Sequence, residues 1–385
     1  MNINNVNCTG CGACLNICPY KCINIKTTEE GFLKAIANNE FCIKCGKCLT
    51  VCATERENLS QNKPIKMYAG YADDSEIRKV STSGGIFSCL AAKIIEKGGV
   101  VYGAAFTKEG KLEHIRIQSL SEIGRLRGTK YLQSNATKCF DKIKKDLDEG
   151  RFVLFSGTPC QVYGLKTFMK GGTDRLYTID LICHGVPSAS FFYDYRKYQE
   201  KKFKGKIIEY FFRNKEHPND EISYTVKLLI KQGEEIKKIY ISGDEDPYTL
   251  RFIGNALQNT ACYECKFANM DRVGDITLGD YWGGKQVHPE LSAINGISLI
   301  LINSQNGNEL INSLNNIKLI LTSEEKAIEL NAHLCSPSKA NEDRDIIYAK
   351  YASMGFSKKF YNKYFLPKGY RTYIIKRYIR SKLKK

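Results

Sequence analysis

The sequence predicts an α/β protein: a small α+β module fused to a mixed-sheet α/β domain. Three observations carry this expectation. Two cysteine runs of the same spacing lie within residues 8–52 and frame a short hairpin. From Met67 onward, apolar strands alternate with helix-period segments, the pattern of an α/β domain. The stretch 151–183 then reads strand, helix, strand, a βαβ unit whose strands are parallel and whose crossover is right-handed.

The cysteine runs read CTGCGACLNICP and CIKCGKCLTVCA. Each is Cys-x₂-Cys-x₂-Cys-x₃-Cys: Cys8, Cys11, Cys14 and Cys18, then Cys42, Cys45, Cys48 and Cys52. This is the spacing of bacterial ferredoxins that carry two [4Fe–4S] clusters, in which the fourth thiolate of a run ligates the other cluster. The expected sets are therefore Cys8, Cys11, Cys14 and Cys52 on one cluster, and Cys42, Cys45, Cys48 and Cys18 on the other. Gly12 and Gly46 follow the second cysteine of each run, where the backbone passes close to sulfur. Pro19 follows the first run as in ferredoxins, and Ala53 stands in the matching place after the second. Cys22 reads as a small buried apolar residue rather than a ligand. Paired Cys-x₂-Cys zinc knuckles do not pack three cysteines and then a fourth in this way.

Composition narrows the class. A chain of 385 residues with 43% hydrophobic content has room for two or three domains and a large core. No run of about twenty apolar residues is present, so no spanning helix is expected. The polar start, MNINNVN, carries no signal-peptide pattern. Sixteen cysteines then point to metal binding in a reducing cytosol rather than to disulfides. The net charge of +17 is uneven: 358–385 holds eleven Lys or Arg and no Asp or Glu, which leaves +6 for the rest. No helix-turn-helix, zinc-finger or RNA-binding signature accompanies that charge, so nucleic acid is not an expected partner.

In chain order, 1–58 is the ferredoxin-like domain, with a hairpin turning at Glu29, Glu30 and Gly31. Residues 59–66 are polar with one proline and read as a linker. The main domain spans 67–335. In it, STSGG at 81–85 precedes a helix capped by Ser or Thr and ended by Gly98 and Gly99, and VVYGAAF at 100–106 follows as a strand. A hydroxyl- and glycine-rich helix start suits a phosphate or a flavin edge. RLRGTKYLQS at 125–134 has three cations, a glycine and two hydroxyls, a composition that fits an anionic cofactor or a solvated loop.

The strand at 151–157 runs into Thr158, Pro159, Cys160 and Gln161 and then a helix. The strand at 175–183 ends in Cys183 and His184. Cys160 and Cys183 therefore fall past the carboxyl ends of parallel strands, the edge where α/β sheets bind ligands. Further strands are expected at 207–213, 223–230 and 237–241, and a helix near 249–258. Cys262 and Cys265 form a Cys-x₂-Cys pair that needs two more ligands, and Cys160 and Cys183 are the natural candidates for a third Cys₄ site. Zinc is the plain structural occupant of such a set. Strands at 275–283 and 296–303 follow, then a helix, a strand and a helix to about Ala332. Residues 336–385 read as a basic tail. Its mixture of Tyr, Ile, Leu and cations suits an anionic membrane surface, a solvated tail or an acidic partner, so the chain is expected in the cytoplasm or peripheral to the inner face of the membrane.

Taken together, STSGG at 81–85, GTKYLQS at 128–134, GTPCQ at 157–161, CHGVPS at 183–188, and CYECKF with GDYWG between 262 and 283 make the chain resemble the beta-subunit family of coenzyme F420 hydrogenases and dehydrogenases. Its basic tail resembles bacterial members found near genes for polysaccharide assembly. The resemblance implies FAD and a further [4Fe–4S] cluster in the main domain. It implies Cys160, Cys183, Cys262 and Cys265 as that cluster's ligands. Ser83, Gly84, Gly85, Gly128, Lys130 and Gln133 would face the flavin. Electrons would pass between a hydride donor or acceptor, F420-like or other, FAD, the three clusters and a redox partner protein, in either direction. Lys130 would stabilise negative charge on the reduced ring, and His184 is the candidate for moving a proton. The rival expectation is a non-enzymatic ferredoxin-type carrier or adaptor, with a scaffold domain and zinc in the third site.

Overall fold

The computed structural model of the protein describes residues 3–5, 7–57, 59, 61–170, 174–216, 225–329 and 331–383. The start of the strand expected at 223–230, the last residue of the module expected at 1–58 and the end of the basic segment at 384–385 lie outside the described residues. Thirteen strands are present among those described: β1 Ile23–Thr27, β2 Leu33–Ala37, β3 Lys66–Ala72, β4 Val100–Phe106, β5 Leu112–Ile117, β6 Val153–Ser156, β7 Leu176–Leu181, β8 Lys206–Asn214, β9 Thr225–Gln232, β10 Glu235–Ser242, β11 Ile276–Asp280, β12 Ser298–Ile302 and β13 Ile317–Leu321.

The cysteine module is built on the antiparallel β1–β2 hairpin, with Ile23 opposite Ala37 and Thr27 opposite Leu33. Gly31, at φ +84°, makes the turn where the sequence expected it. The two cysteine runs each form a short helix, Ala13–Ile17 and Lys47–Thr50, entered through Gly12 and Gly46 in the left-handed region. A Cβ is poorly tolerated in that conformation, which accounts for glycine at both places.

The main domain is an α/β fold on an eight-stranded mixed sheet in the order β13-β3-β12-β11-β7-β6-β4-β5. Its centre, β4, β6, β7 and β11, is parallel. Antiparallel β5 closes one side, and β12, β3 and β13 close the other. The βαβ unit is β6, the helix Pro159–Phe168 and β7, with Val153 opposite Leu176. Thr158 and Gln161 form a capping box at the start of that helix, with Pro159 in its first turn.

The helix Ile86–Glu96 is not capped by a hydroxyl as expected. Gly85 takes the cap position at φ +88°, with no side-chain bond. The hydroxyls before it are committed elsewhere. Ser81 donates to the Ile77 carbonyl at 2.7 Å and Ser83 to the Ile297 carbonyl at 2.8 Å.

Strands β8, β9 and β10 form a separate antiparallel sheet. It packs with the helix Ala189–Phe203 into an aromatic core that includes Phe191, Phe192, Tyr195, Phe212 and Tyr248. The chain beyond 336, expected as a tail, joins this core. Tyr348, Phe360 and Phe365 are fully buried there, and Arg344 forms a bidentate pair with Glu30 of the hairpin at 2.6 and 2.8 Å. Burial of these rings favours ordering of the segment, and the basic helix Tyr370–Leu383 follows it. Among the described residues, no helix is long and apolar enough to cross a membrane.

Candidate functional site

A cavity of about 300 Å³ opens at the carboxyl edge of the parallel strands. That volume is at the lower end of small-molecule sites, about 300–1,000 Å³. Its wall brings distant segments together: Ser81, Thr82, Ser83 and Gly85 before the helix Ile86–Glu96, then Arg127, Gly128, Thr129 and Lys130, then Gly157, Thr158 and Gln161. The first two segments are joined by the Thr129 N–H, which donates to Thr82 Oγ1 at 2.7 Å. Arg127 Nε donates to Ser88 Oγ at 2.9 Å, which aligns the guanidinium beside the helix start. Gly128 adopts φ +78° with no atom within 4 Å of where a Cβ would stand, so its role is the backbone turn. Thr82, Arg127, Lys130 and a helix N-terminus converge on one concavity, a set that fits an anionic ligand.

Lys130 lines the cavity while its Nζ donates to the carbonyls of Leu126 and Arg127 at 3.0 and 2.8 Å. Burial pushes its ammonium down to about 7. His114, on β5, shares the same wall. Its Nε2 lies 3.0 Å from the Ser156 carbonyl, its ring stacks on Phe155 at 5.2 Å, and its buried Nδ1 has no hydrogen-bond partner. Burial pushes the imidazole down to about 4, the Ser156 carbonyl opposes that, and the charge of Lys130 adds to it. The ring is therefore neutral near pH 7, with the Nε2–H directed at Ser156. At the open side, Asp280 lines the wall and pairs with Arg213, whose guanidinium lies 5.3 Å from the centre of the Trp282 ring.

Two residues expected to face a flavin do not line this cavity. Gln133 turns toward the cysteine module: its Oε1 accepts from the Leu33 N–H at 2.7 Å and its Nε2 donates to the Thr9 carbonyl at 3.0 Å. Gly84 packs against the sheet, where a Cβ would come within 2.6 Å of the Gly70 carbonyl, and its N–H donates to Ser298 Oγ. His184 is also outside the wall. Its Nε2 is 2.6 Å from Asn255 Oδ1, and its ring centre is 4.2 Å from that of His333. Burial, then the charge of His333, pushes it down to about 4, which makes it a neutral hydrogen-bonding residue of the surrounding core.

Next to the cavity lie the scattered cysteines. Cys160 sits in the first turn of the helix Pro159–Phe168, its Sγ 3.1 Å from the hydroxyl of Thr158, itself a cavity residue. Cys183 follows β7, and its Sγ accepts from the Gly185 N–H at 3.4 Å. Cys262 is in the short helix Thr260–Tyr263, and a Cβ on Gly185 would lie 3.1 Å from its Cβ. The four thiols are close enough to act on one another. Burial pushes Cys160 up to about 12, and the charges of Cys183 and Cys265 add to this. Burial, then the charge of Cys183, holds Cys262 well above the ordinary thiol range. A cationic iron–sulfur core would offset both effects, because its thiolates are held as metal ligands. Among the described residues, no three His, Cys, Asp or Glu side chains close to the spacing of a single metal ion, which for zinc means sulfurs about 3.8 Å apart.

The module's thiols continue this series. Cys11 packs against Gly164 of the same helix, where a Cβ would lie 3.2 Å from its Sγ. Burial pushes Cys11 up to about 12, and the next contribution is the charge of Cys160. Cys14 is raised by burial and by Cys11, Cys8, Cys52 and Cys48, so the first set touches the second. The second set surrounds a cavity of about 600 Å³ lined by Cys18, Cys22, Cys42, Cys45 and Cys48. Cys45 is exposed to solvent, as are Tyr20 and Ile43 of the same cavity. Cys22 is buried, with its sulfur 3.4 Å from that of Cys18.

Sequence reasoning did not single out His114 or the Arg213–Asp280 pair. His114 carries no motif, and its only signal is the inward alternation it shares with Leu112 on β5. Arg213 and Asp280 are 67 residues apart, and nothing local links them.

Comparison with known proteins finds three family models along the chain. The model of the N-terminal part of the coenzyme F420 hydrogenase/dehydrogenase beta subunit matches residues 67–140, and the model of its C terminus matches 150–327. A 4Fe-4S dicluster domain model matches 7–55. Among solved structures, a chain of the xenon-derivatised F420-reducing [NiFe] hydrogenase complex from Methanosarcina barkeri is similar. The likeness has a TM-score of 0.45 and 15% identity, over 72% of this chain and 93% of that one. No curated protein matches.

Proposed function

This chain belongs to the coenzyme F420 hydrogenase/dehydrogenase beta-subunit family and carries a 4Fe-4S dicluster domain, and from that premise we propose an iron–sulfur flavoprotein oxidoreductase with FAD and three [4Fe–4S] clusters. Iron–sulfur electron transfer of the oxidoreductase type follows from the family. FAD, the third cluster and the F420-like hydride donor or acceptor are our reading. The single observation that carries it is the unbroken series from the cavity through Thr158 and Cys160 to Cys11, and on to the exposed Cys45.

Flavin, when bound, exchanges electron pairs with a hydride carrier and single electrons with a cluster. The chain's residues supply position and potential. Arg127 and the Thr82 hydroxyl, which accepts from Thr129 and keeps its own proton to donate, hold an anionic portion of the ligand at the helix start. Lys130, able to carry a proton near neutral pH, balances negative charge at the cavity wall. His114, neutral and pinned by Ser156, offers a fixed polar edge. Cys160, Cys183, Cys262 and Cys265 would hold the third cluster, with the Thr158 hydroxyl beside Cys160 Sγ. Exposed Tyr20 and Ile43, which line the same cavity as Cys45, support that side as the face for a redox partner protein.

The test is anaerobic purification with iron, sulfide and flavin analysis, followed by reduction with F420H₂, NAD(P)H or reduced ferredoxin. About twelve irons and one FAD per chain are expected. About eight irons with one zinc and no flavin would instead indicate the carrier with a scaffold domain.

A further inference from the structure

The helix Tyr370–Leu383 is attached along one side only. Tyr370 donates its hydroxyl to the Glu245 carbonyl at 2.6 Å, Tyr373 bonds Asp244, and Arg377 pairs with Asp244 and Glu245. Positions 370, 373 and 377 share one face of a helix. The opposite face, at 371, 375, 378 and 379, carries Arg371, Ile375, Tyr378 and Ile379. Ile375, Tyr378 and Ile379 are all more than half exposed, at 59%, 62% and 51%. Two isoleucines one turn apart, with Tyr378 beside them, thus present most of their surface to solvent on a docked helix.

We propose that this helix lies along an anionic lipid surface, with Ile375, Tyr378 and Ile379 in the boundary between headgroups and acyl chains. The charge pattern selects that occupant. Seven Lys or Arg and no Asp or Glu fall within 370–385. The acids that face the helix, Asp244 and Glu245, are committed to Tyr373 and Arg377 on its inner side. A nucleic-acid backbone would use the cations but leave the isoleucines in water. An interfacial helix uses both, through buried apolar area and attraction to anionic lipid.

The experiment is co-sedimentation of the full holoprotein with phosphatidylcholine vesicles containing about 30% phosphatidylglycerol, against pure phosphatidylcholine vesicles and a short DNA duplex. Binding to the anionic vesicles is expected to weaken about tenfold or more in an Ile375→Glu/Ile379→Glu variant and at high salt, with neutral vesicles unbound. An Ile375→Leu/Ile379→Leu variant should bind like wild type, and unchanged iron content in both variants shows that the body is intact. Equal binding by wild type and the Glu variant, binding indifferent to lipid charge, or a preference for the DNA overturns the proposal.

Discussion

Thr129 donates its backbone N–H to Thr82 Oγ1 at 2.7 Å, across 47 residues of sequence. This bond ties the loop after the helix Ile123–Leu126 to the turn before the helix Ile86–Glu96, and so sets the width of the cavity between them. Thr82→Ala leaves that N–H without its acceptor, a loss of about 1 kcal/mol in stability. The larger expected effect is weaker flavin retention, read by equilibrium dialysis, with Thr82→Ser restoring it. Unchanged retention in the alanine variant would separate this bond from the site.

Cys160→Ser should lower iron from about twelve to about eight per chain and leave the two-cluster signal of the module in place. Iron and sulfide analysis with low-temperature EPR reads this directly. Retention of all the iron would show that Cys160 is not a ligand.

Lys130 gives a pH dependence whose sign follows from its burial. Its folded value, about 7, is below that of an unfolded lysine, about 10.4. Below about pH 7 both states are protonated and the full cost of the buried charge is present. As pH rises from about 7 to about 10, the folded side chain loses its proton while the unfolded one keeps it, so stability rises, by at most about 1.4 kcal/mol per pH unit. Lys130→Met removes this contribution. Urea unfolding of the flavin-free protein at several pH values should therefore show the variant's advantage shrinking toward high pH. Lys215 has a similarly lowered value, and it cancels in the comparison.

Arg344 links the C-terminal helix Arg344–Met354 to Glu30 in the hairpin turn. Arg344→Met strands the partner carboxylate and the Gln258 carbonyl that Arg344 also bonds. A loss of about 1–3 kcal/mol is expected in urea unfolding, with the double variant Arg344→Met/Glu30→Gln recovering part of it.

Much of this arrangement is legible in the chain because it rests on local chemistry. The cysteine spacing marks the module, Gly31 marks the hairpin turn, and Thr158–Pro159 with Gln161 marks a helix start that the structure reproduces. What was not legible depends on long-range competition. The hydroxyls of 81–83 look like caps, yet Thr82 and Ser83 are engaged by Thr129 and Ile297, far away in sequence, and Ser81 turns back to the Ile77 carbonyl. Gln133 is in a cavity-forming loop, but its amide satisfies Leu33 and Thr9 instead. Tyr348, Phe360 and Phe365 stand among lysines in a segment that reads as solvated, and only the aromatic surface left by Phe191 and Tyr195 explains their burial.

The cysteine module and the α/β domain share one apolar core, in which Ala13 and Val51 meet Tyr102, Phe140 and Tyr163. It follows that the module is not a detachable cartridge. A chain shortened to begin at Met67 would present Phe140 and Tyr163 to water and should be recovered as aggregate. A lineage that lost the module would have to replace the side chains at that seam before the remainder could stand alone.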